Sequence, residues 1–219
     1  MNIIDFSLQH SVINTYMSEL RDSNYQKSPL LFRNNIRRIG QFIAYEISKQ
    51  LDYHDINVVT PLGNTAIAVP TDKIVVATVL RAGLPMHDGI LSVFDKAENA
   101  FASAYRTYED DAHTQVGIHV EYLAAPSLDG KTLIIADPML ATGGSMELAY
   151  KALLSNGTPK HIHIASVIAA TEGINHIRNT FPNDKTTVWC GTIDPQLNEQ
   201  KYIVPGLGDA GDLCFGEKL

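Results

Sequence analysis

The chain has 219 residues, with 17 Lys or Arg and 24 Asp or Glu side chains, so its formal net charge is −7 at neutral pH. That length suits one domain with a substantial core. The acidic balance disfavours an extended surface for nucleic acid or for an anionic membrane, and any phosphate ligand must therefore meet a local positive site.

The cysteines and the first residues indicate where the protein works. Cys190 and Cys214 form neither a metal-ligand pattern nor a disulfide framework. The N-terminal segment lacks the basic and apolar regions of a secretion signal, and no stretch approaches the length that spans a bilayer. We therefore expect a cytoplasmic protein with no membrane partner and no nucleic-acid partner.

Apolar periodicity predicts alternating helices and strands. Helices are predicted at residues 11–22, 29–51, 84–94 and 172–179, with a further helix that Asn156 and Gly157 close. Strands are predicted at residues 73–80, 100–105, 116–122, 131–136, 161–169 and 186–190, and a hairpin outside the main sheet at 56–60 and 65–69. Apolar strands separated by helices are typical of a parallel sheet covered on both faces, so the predicted fold class is α/β.

A polar, glycine-rich turn from Asp137 to Ser145 separates the buried strand 131–136 from the next helix. Such a turn leaves backbone N–H groups without helical partners, and the helix dipole makes their surroundings positive. The alternative is purely conformational, with the glycines only making a tight turn that Ser145 caps. The hydroxyl groups, the acid at the strand tip and the lack of a following Lys favour a ribose 5-phosphate whose sugar hydroxyls donate to Asp137.

Two arginines, Arg81 and Arg106, stand at the carboxyl ends of predicted strands. Ligand-binding groups in open α/β sheets collect at such ends, so the pair is expected to clamp an anion, although a surface ion pair is the alternative for each. Arg33, Arg37 and Arg38 lie along the second predicted helix. We expect these three on a solvated or interface face.

Two patterns match known motifs only in part. His161 and His163 share one strand face, but no third ligand has a suitable spacing, so we expect strand-edge residues and not a metal site. Gly206, Gly208 and Gly211 match the dinucleotide-binding fingerprint. No helix of useful length follows to receive a pyrophosphate, and a backbone loop that approaches a small flat ligand is the better interpretation.

The stretch from Leu133 to Ser145, LIIADPMLATGGS, resembles the phosphoribosyl-diphosphate loop of the type I phosphoribosyltransferases. Most members of that family have two adjacent acids, whereas Pro138 follows Asp137 here. The single-acid form resembles the uracil phosphoribosyltransferases. Further segments similar to that branch are residues 81–84, 105–106 and 202–212.

The chain also departs from the family pattern. Pro85 stands where the family often has glycine, and residues 107–111 differ from the usual acidic-leading run. The polar segment 110–115 is the expected lid over the reactive centre. The lid is therefore expected to have its own shape in this chain.

The resemblance implies a type I phosphoribosyltransferase fold in a single domain, 1–219, with a mostly parallel central sheet flanked by helices, a small hairpin and a C-terminal base-binding hood at about 191–219. It implies conversion of uracil and phosphoribosyl diphosphate into UMP and diphosphate. A phosphoribosyltransferase for another nucleobase and a donor-sensing regulatory module of the same fold stay open as alternatives. A homodimer or larger homo-oligomer is also implied.

Site residues follow from the same resemblance. Phosphoribosyl diphosphate is expected to contact Arg81, Arg106, Asp137, Pro138, Met139, Leu140, Ala141, Thr142, Gly143, Gly144, Ser145 and Asp209. Uracil is expected to contact Ile203, Gly208, Asp209 and Ala210. Asp209 and Arg106 are the expected catalytic residues, and Mg²⁺ is the expected cofactor, carried by the donor without a direct protein ligand.

Overall fold

The computed structural model describes residues 1–108 and 116–217; for 104–108 and 116–121 only the backbone is described. The helices in these ranges are α1 (Ile13–Arg21), α2 (Pro29–Ser48), α3 (Leu84–Leu91), α4 (Gly144–Leu153), α5 (Thr171–Thr180) and α6 (Ala210–Phe215). The strands are β1 (Asn2–Asp5), β2 (Tyr53–Thr60), β3 (Gly63–Pro70), β4 (Ile74–Val79), β5 (Glu98–Tyr108), β6 (Val116–Ala124), β7 (Thr132–Ala136), β8 (Met139–Leu140), β9 (His161–Ala170), β10 (Thr186–Asp194), β11 (Gln196–Leu197) and β12 (Ile203–Val204).

The central sheet has the strand order β1-β10-β9-β7-β4-β5-β6, and β8 also pairs with β9. Its neighbouring strands are parallel except for the antiparallel pair β5 and β6. The predicted α/β fold with a mostly parallel sheet is therefore confirmed. Its central strand, β7, lies between β4 and β9, so the residues that follow β7 emerge at the middle of the carboxyl edge.

Helices cover both faces of this sheet, which explains why its inner strands are apolar without alternation. Ile134 of β7 packs in a core with α1, α2 and α3, whereas its neighbours Leu133 and Ile135 pack in a second core with α4 and α5. All three side chains are fully buried. Burying a side chain of this size contributes about 1.5 to 3 kcal/mol, so both cores hold β7 in place.

The hairpin of β2 and β3 forms a separate two-stranded antiparallel sheet, as predicted. Its strands are longer than the predicted ones and leave only Pro61 and Leu62 between them. The last residues of this hairpin lead directly into β4. The hairpin thus leaves the body at the amino edge of the sheet, away from the carboxyl ends.

Several predicted bounds differ from the structure. The third strand does not end at Arg106, because β5 continues to Tyr108 and pairs with β6, with Arg106 opposite Ile118. The short edge strand β1 was not predicted, since its four residues form a strand by pairing with the distant β10. The predicted lid, 110–115, lies outside the described residues. In the described ranges no helix combines the length and the apolar character that crossing a membrane requires.

Candidate active site

Asp137 stands directly after β7 and is held by the neighbouring strand. Its backbone N–H donates to Ala165 O at 3.1 Å, and its own carbonyl accepts from Ser166 Oγ at 2.7 Å. Asp137 Oδ1 accepts a hydrogen bond from Met139 N at 3.2 Å. Desolvation raises the pKa of the Asp137 carboxyl to about 7, against the opposing effect of that hydrogen bond. The side chain is thus a fixed acceptor whose charge changes near neutral pH.

The glycine-rich turn ends in helix α4. Gly143 has a φ of 83°, in the left-handed region that favours glycine, and Thr142 Oγ1 accepts from Gly144 N at 3.3 Å. The N–H groups of the first turn of α4 have no acceptor within the helix. Ser145 is exposed at this turn. Such a helix start is suited to a phosphate group.

Helix α5 packs against the glycine-rich turn that precedes α4. A Cβ on Gly143 would lie 2.9 Å from the ring of His176, and one on Gly173 would lie 2.5 Å from a carbonyl oxygen of the turn. His176 Nε2 is 2.8 Å from Glu147 Oε2, and Glu147 Oε1 pairs with Lys151 at 2.7 Å. Hydrogen bonds from Lys151 and His176 lower the pKa of Glu147 despite its burial. The acid in the first turn of α4 is therefore paired, which reduces its repulsion of an anion.

A second loop, residues 80–83, packs against the end of β7. A Cβ on Gly83 would overlap Thr78 Oγ1 and lie 2.7 Å from Ala136 O, so the loop backbone touches the end of the central strand. The peptide bond between Leu80 and Arg81 is cis. Arg81 is exposed. Arg81 follows the end of β4 at Val79, as the sequence predicted, and β4 is a neighbour of β7.

The C-terminal hood begins with the antiparallel pair β11 and β12. Ile203 and Ala210 are buried, and Gly208 has a φ of 88°. The stretch is not a loop throughout, because the short helix α6 begins at Ala210. Asp209 caps that helix, with its Oδ1 accepting from Asp212 N at 3.0 Å.

Two contacts join the hood to the other loops. Ala210 N lies 3.4 Å from Met139 Sδ, which places the hood on the residues that follow Asp137. Arg81 Nη2 pairs with Asp212 Oδ1 at 3.3 Å, and Arg81 Nη1 donates to Gly216 O at 3.4 Å. The predicted donor residues at 81 and 137–145 and the predicted base residues therefore meet at one edge of the sheet.

The other arginines have different surroundings. Arg106 lies in β5, and its side chain is outside the described set. Arg37 pairs with Asp88, whereas Arg38 Nη1 donates to Asn35 Oδ1 at 2.9 Å. Arg33 instead supports the hood, because its Nη1 donates at 2.5 Å to a carbonyl of α6, that of Cys214.

Sequence reasoning also missed an ion pair behind the hood. Arg21 and Asp194 are separated by 173 residues in the chain, yet Arg21 Nη2 lies 2.7 Å from Asp194 Oδ1. No local pattern marks either residue. Only the fold shows that Asp194, the last residue of β10, lies at the same sheet edge as Asp137.

The prediction that His161 and His163 are strand-edge residues is wrong, because β9 lies inside the sheet between β10 and β7. His163 is buried, and its Nδ1 accepts from Trp189 Nε1 at 3.1 Å. Burial lowers the pKa of His163 to about 3, with a smaller effect of His161 in the same direction. Within the described ranges no group of three or more His, Cys, Asp or Glu side chains is arranged to hold a metal ion. Cys190 and Cys214 are free and buried.

A cavity of about 780 Å³ lies at the opposite, amino edge of the sheet. Its walls include Lys73 before β4, Glu98 at the start of β5, Lys131 before β7 and Ile56 of the hairpin. In open α/β sheets ligands bind outside the carboxyl ends of the strands. The loops that meet at the carboxyl edge are therefore the better candidate for the active site, although this cavity is large.

Comparison with known proteins identifies one family. The family model described as uracil phosphoribosyltransferase matches residues 7–217. A uracil phosphoribosyltransferase from Porphyromonas gingivalis is 55% identical over 219 residues, which are 100% of this chain and 100% of that protein. One from Thermococcus gammatolerans is 37% identical over 206 residues, covering 93% of this chain and 88% of the relative. The solved structure of the AQ2163 protein from Aquifex aeolicus has a TM-score of 0.83 at 32% identity and covers 98% of both chains.

The raised pKa of Asp137 predicts a pH-dependent effect of Asp137→Asn on stability. The folded chain holds the Asp137 proton up to a pH of about 7, because the pKa of this carboxyl is raised to about 7 from its ordinary value of 3.8. Ionisation of Asp137 therefore opposes folding, increasingly as pH rises from about 4 to about 7, and fully above that range. Asn keeps an acceptor for Met139 N and removes the charge. We expect the variant to unfold at a higher temperature than the parent at pH 8, and at the same temperature at pH 4.

The measurement is the difference between the two thermal unfolding midpoints at several pH values, which cancels the titration of all other groups. Glu172→Gln, at an exposed acid of α5, is the control and should show no comparable gain. A stability difference between Asp137→Asn and the parent that is the same at pH 4 and pH 8 would contradict the prediction.

Proposed function

The chain belongs to the uracil phosphoribosyltransferase family, and we propose that it transfers the phosphoribosyl group of phosphoribosyl diphosphate to uracil. In this reaction a bond forms between N1 of uracil and C1 of the ribose, and the bond from C1 to the diphosphate oxygen breaks. The N1 proton leaves, and the products are UMP and diphosphate. This is a pentosyltransferase reaction of pyrimidine salvage.

The observation that carries the proposal is the meeting of three loops at the carboxyl edge. The turn after Asp137, the loop at Arg81 and the hood are linked by backbone packing at Gly83 and by the contact of Met139 with Ala210. A helix start suited to phosphate, the cation of Arg81 and the hood thus lie at the same edge of the sheet. Holding two substrates in reacting geometry supplies much of the rate of such a displacement.

We assign the ribose and its 5-phosphate to the segment from Asp137 to Ser145. The phosphate would accept hydrogen bonds from N–H groups at the start of α4, which have no acceptor within the helix, and from hydroxyls of the turn. The Asp137 carboxylate would accept from the ribose hydroxyls, in its ionised form. Its place at the end of β7 fixes its direction, so the sugar is oriented without movement of the strand. The remaining residues of this assignment are Pro138, Met139, Leu140, Ala141, Thr142, Gly143 and Gly144.

The diphosphate is assigned to Arg81 and Arg106. Negative charge develops on the leaving oxygens as the bond to C1 breaks, and nearby guanidinium groups stabilise that charge. Arg81 would exchange its contacts with Asp212 and Gly216 for the diphosphate. Those contacts are long and exposed, so their loss costs little, less than about 1 kcal/mol for such a surface ion pair.

Mg²⁺ fits this site as an ion that arrives with the donor. Mg²⁺ is commonly bound through one or two carboxylates together with substrate phosphates. Asp137 and Asp209 offer single carboxylates at this edge, and no larger acidic cluster occurs among the described residues. When bound, the ion would offset the charge of the diphosphate.

The base is assigned to the hood, about 191–219 of a single domain. Ile203 and Ala210 are buried and would lie against the flat ring, while the backbone around Gly208 would read its polar edge. Asp209 is exposed and would stand between base and donor, with one oxygen already capping α6. The hood then brings N1 of uracil toward C1 of the ribose.

We also propose a homodimer or larger homo-oligomer in the cytoplasm. The family resemblance supports the assembly, as do the exposed Val59 and Leu62 of the hairpin, which expose apolar surface. The free, buried cysteines support a reducing compartment.

The experiment that tests the function is an incubation with phosphoribosyl diphosphate, Mg²⁺ and one nucleobase at a time, with detection of the nucleotide formed. We expect UMP from uracil, and a kcat/KM for cytosine lower by about 10⁴ or more. Cytosine places a donor where uracil has its O4 acceptor, and a fixed backbone edge cannot change to match it. Comparable values for the two bases, or a nucleotide formed only from a purine, would contradict the proposal.

A second test concerns the diphosphate. Arg81→Ala should raise the KM for phosphoribosyl diphosphate by about tenfold to a hundredfold, because a charge-assisted contact contributes about 1.5 to 3 kcal/mol. The KM for uracil should change little. Arg37→Ala, which also removes an exposed arginine paired with an acid, is the matched control. The assignment fails if both variants keep the parent's donor KM.

A further inference from the structure

The base-binding loop, residues 203–210, has few side chains of its own that could hold its shape. We propose that Arg21, Gln26 and Asp194 are positioning residues that fix the backbone of this loop and thereby set affinity and selectivity for the nucleobase. This inference rests on the proposed function, and it assigns to these residues a role exerted through the loop.

Both backbone polar groups of Gly206 are held by one ion pair. Gly206 N donates to Asp194 Oδ2 at 2.8 Å, and Gly206 O accepts from Arg21 Nη1 at 3.0 Å. Arg21 in turn binds both oxygens of Asp194, at 3.0 Å from Nη1 and 2.7 Å from Nη2. Gly206, the guanidinium and the carboxylate are therefore joined in a closed ring of hydrogen bonds. A shift of either side chain would break a hydrogen bond to Gly206 or move this residue.

The carboxylate of this ion pair is buried, and the guanidinium is partly buried. The side chain of Asp194 is 6% exposed and that of Arg21 is 27% exposed. Charge-assisted hydrogen bonds are stronger in such surroundings, and the bidentate geometry also fixes direction. Asp194 ends β10, and Thr171 Oγ1 donates to its carbonyl at 3.3 Å. The ion pair of Arg21 and Asp194, called the clamp below, is therefore attached to the end of a core strand.

Gly206 has no freedom to move toward the preceding strand. Its φ is 65°, and a Cβ at this position would overlap the carbonyl oxygen of Ile203. The chain between Ile203 and Gly206 is therefore a tight turn pressed against itself. The ion pair of Arg21 and Asp194 thus acts at a position of the loop where backbone lies against backbone.

Gln26 holds the next residue of the loop. Its Nε2 donates to Leu207 O at 2.7 Å and to Leu20 O, near the end of α1, at 2.6 Å. Leu207 itself is 3% exposed, so its side chain anchors in the core while Gln26 fixes its carbonyl. Two consecutive carbonyl groups, at 206 and 207, are thus oriented by side chains from the N-terminal region.

This arrangement matters for selectivity because backbone groups cannot adapt by changing rotamer. A loop that reads the donor and acceptor pattern of a base with N–H and C=O groups discriminates only while those groups stay fixed. None of the three side chains belongs to the assigned base or donor contacts. They are expected to act on base recognition alone, through Gly206 and Leu207.

Arg21→Lys tests the clamp while keeping the charge. Lysine lacks the planar fork and cannot hold both Asp194 oxygens and the Gly206 carbonyl in the same geometry. We expect the KM for uracil to rise by about tenfold or more, and the ratio of kcat/KM for uracil over cytosine to fall by a similar factor. kcat at saturating uracil and the Kd for phosphoribosyl diphosphate should stay within about twofold. Arg37→Lys, the same substitution at the pair that joins α2 to α3, should change none of these values.

Gln26→Glu is the second variant, nearly identical in shape, in case Arg21→Lys folds poorly. The new carboxylate would repel the carbonyl groups of Leu20 and Leu207, to which the Gln26 amide donates. We therefore expect the Kd for UMP, measured by calorimetry, to rise by about tenfold. The Kd for phosphoribosyl diphosphate should stay unchanged. A parallel loss of uracil and donor affinity in both variants would show a merely structural role and overturn the inference. So would an unchanged uracil KM in both. A parent protein that forms no UMP refutes the proposed function and the inference together, whereas an active parent with insensitive variants refutes the inference alone.

Discussion

The candidate site depends on the backbone hydrogen bonds that fix the end of β7 between β4 and β9. Ala136, the last residue of β7, lies in register with Thr78 and with Ala165. The next residue, Asp137, continues the pairing through its N–H bond to Ala165 O. Because the strand is paired on both sides, the sheet fixes the backbone of the acid at its end, and the hydrogen bond from Met139 N orients the carboxyl group. The cost is desolvation, which appears as the raised pKa of Asp137.

The loops that complete the candidate site pack closely against neighbouring elements through glycines. Gly83 packs on the end of β7, Gly173 lies under the turn before α4, and Gly206 is pressed against β12. At each of these positions a Cβ would overlap a neighbouring backbone or hydroxyl oxygen. Close approach brings N–H and C=O groups, rather than side chains, toward the ligand space. Specificity then rests on what holds those groups still, and this is the role inferred for Arg21 and Asp194.

The sequence predicted the parts of the site that depend on local pattern. The apolar run of β7, Asp137 and the glycine-rich turn before α4 were predictable, because strand, acid and helix start are consecutive in the chain, and this turn is the one proposed to bind phosphate. Residues brought together by tertiary packing were not predictable in this way. Asp194 has an unremarkable local sequence, and its partner Arg21 lies 173 residues away. The same holds for the edge strand β1.

The hood contains a loop that was predicted from the sequence and a helix that was not. The turn residues Gly206 and Gly208 indicated a backbone loop, and both have the left-handed φ that favours glycine. Helix α6 was missed because its six residues include Gly211, which weakens helix propensity. It forms because Asp209 caps its N-terminus and Arg33 of α2 binds the carbonyl of Cys214 near its other end.

The central claim is that phosphate, ribose and base bind at the three loops of the carboxyl edge. A crystal structure of the chain with UMP tests it most directly. The account predicts the phosphate on the N–H groups at the start of α4, the ribose hydroxyls on Asp137, and the polar edge of uracil on the backbone of residues 203–210. UMP bound in the cavity beside Lys73 and Lys131, or with its base turned away from Ala210, would contradict it.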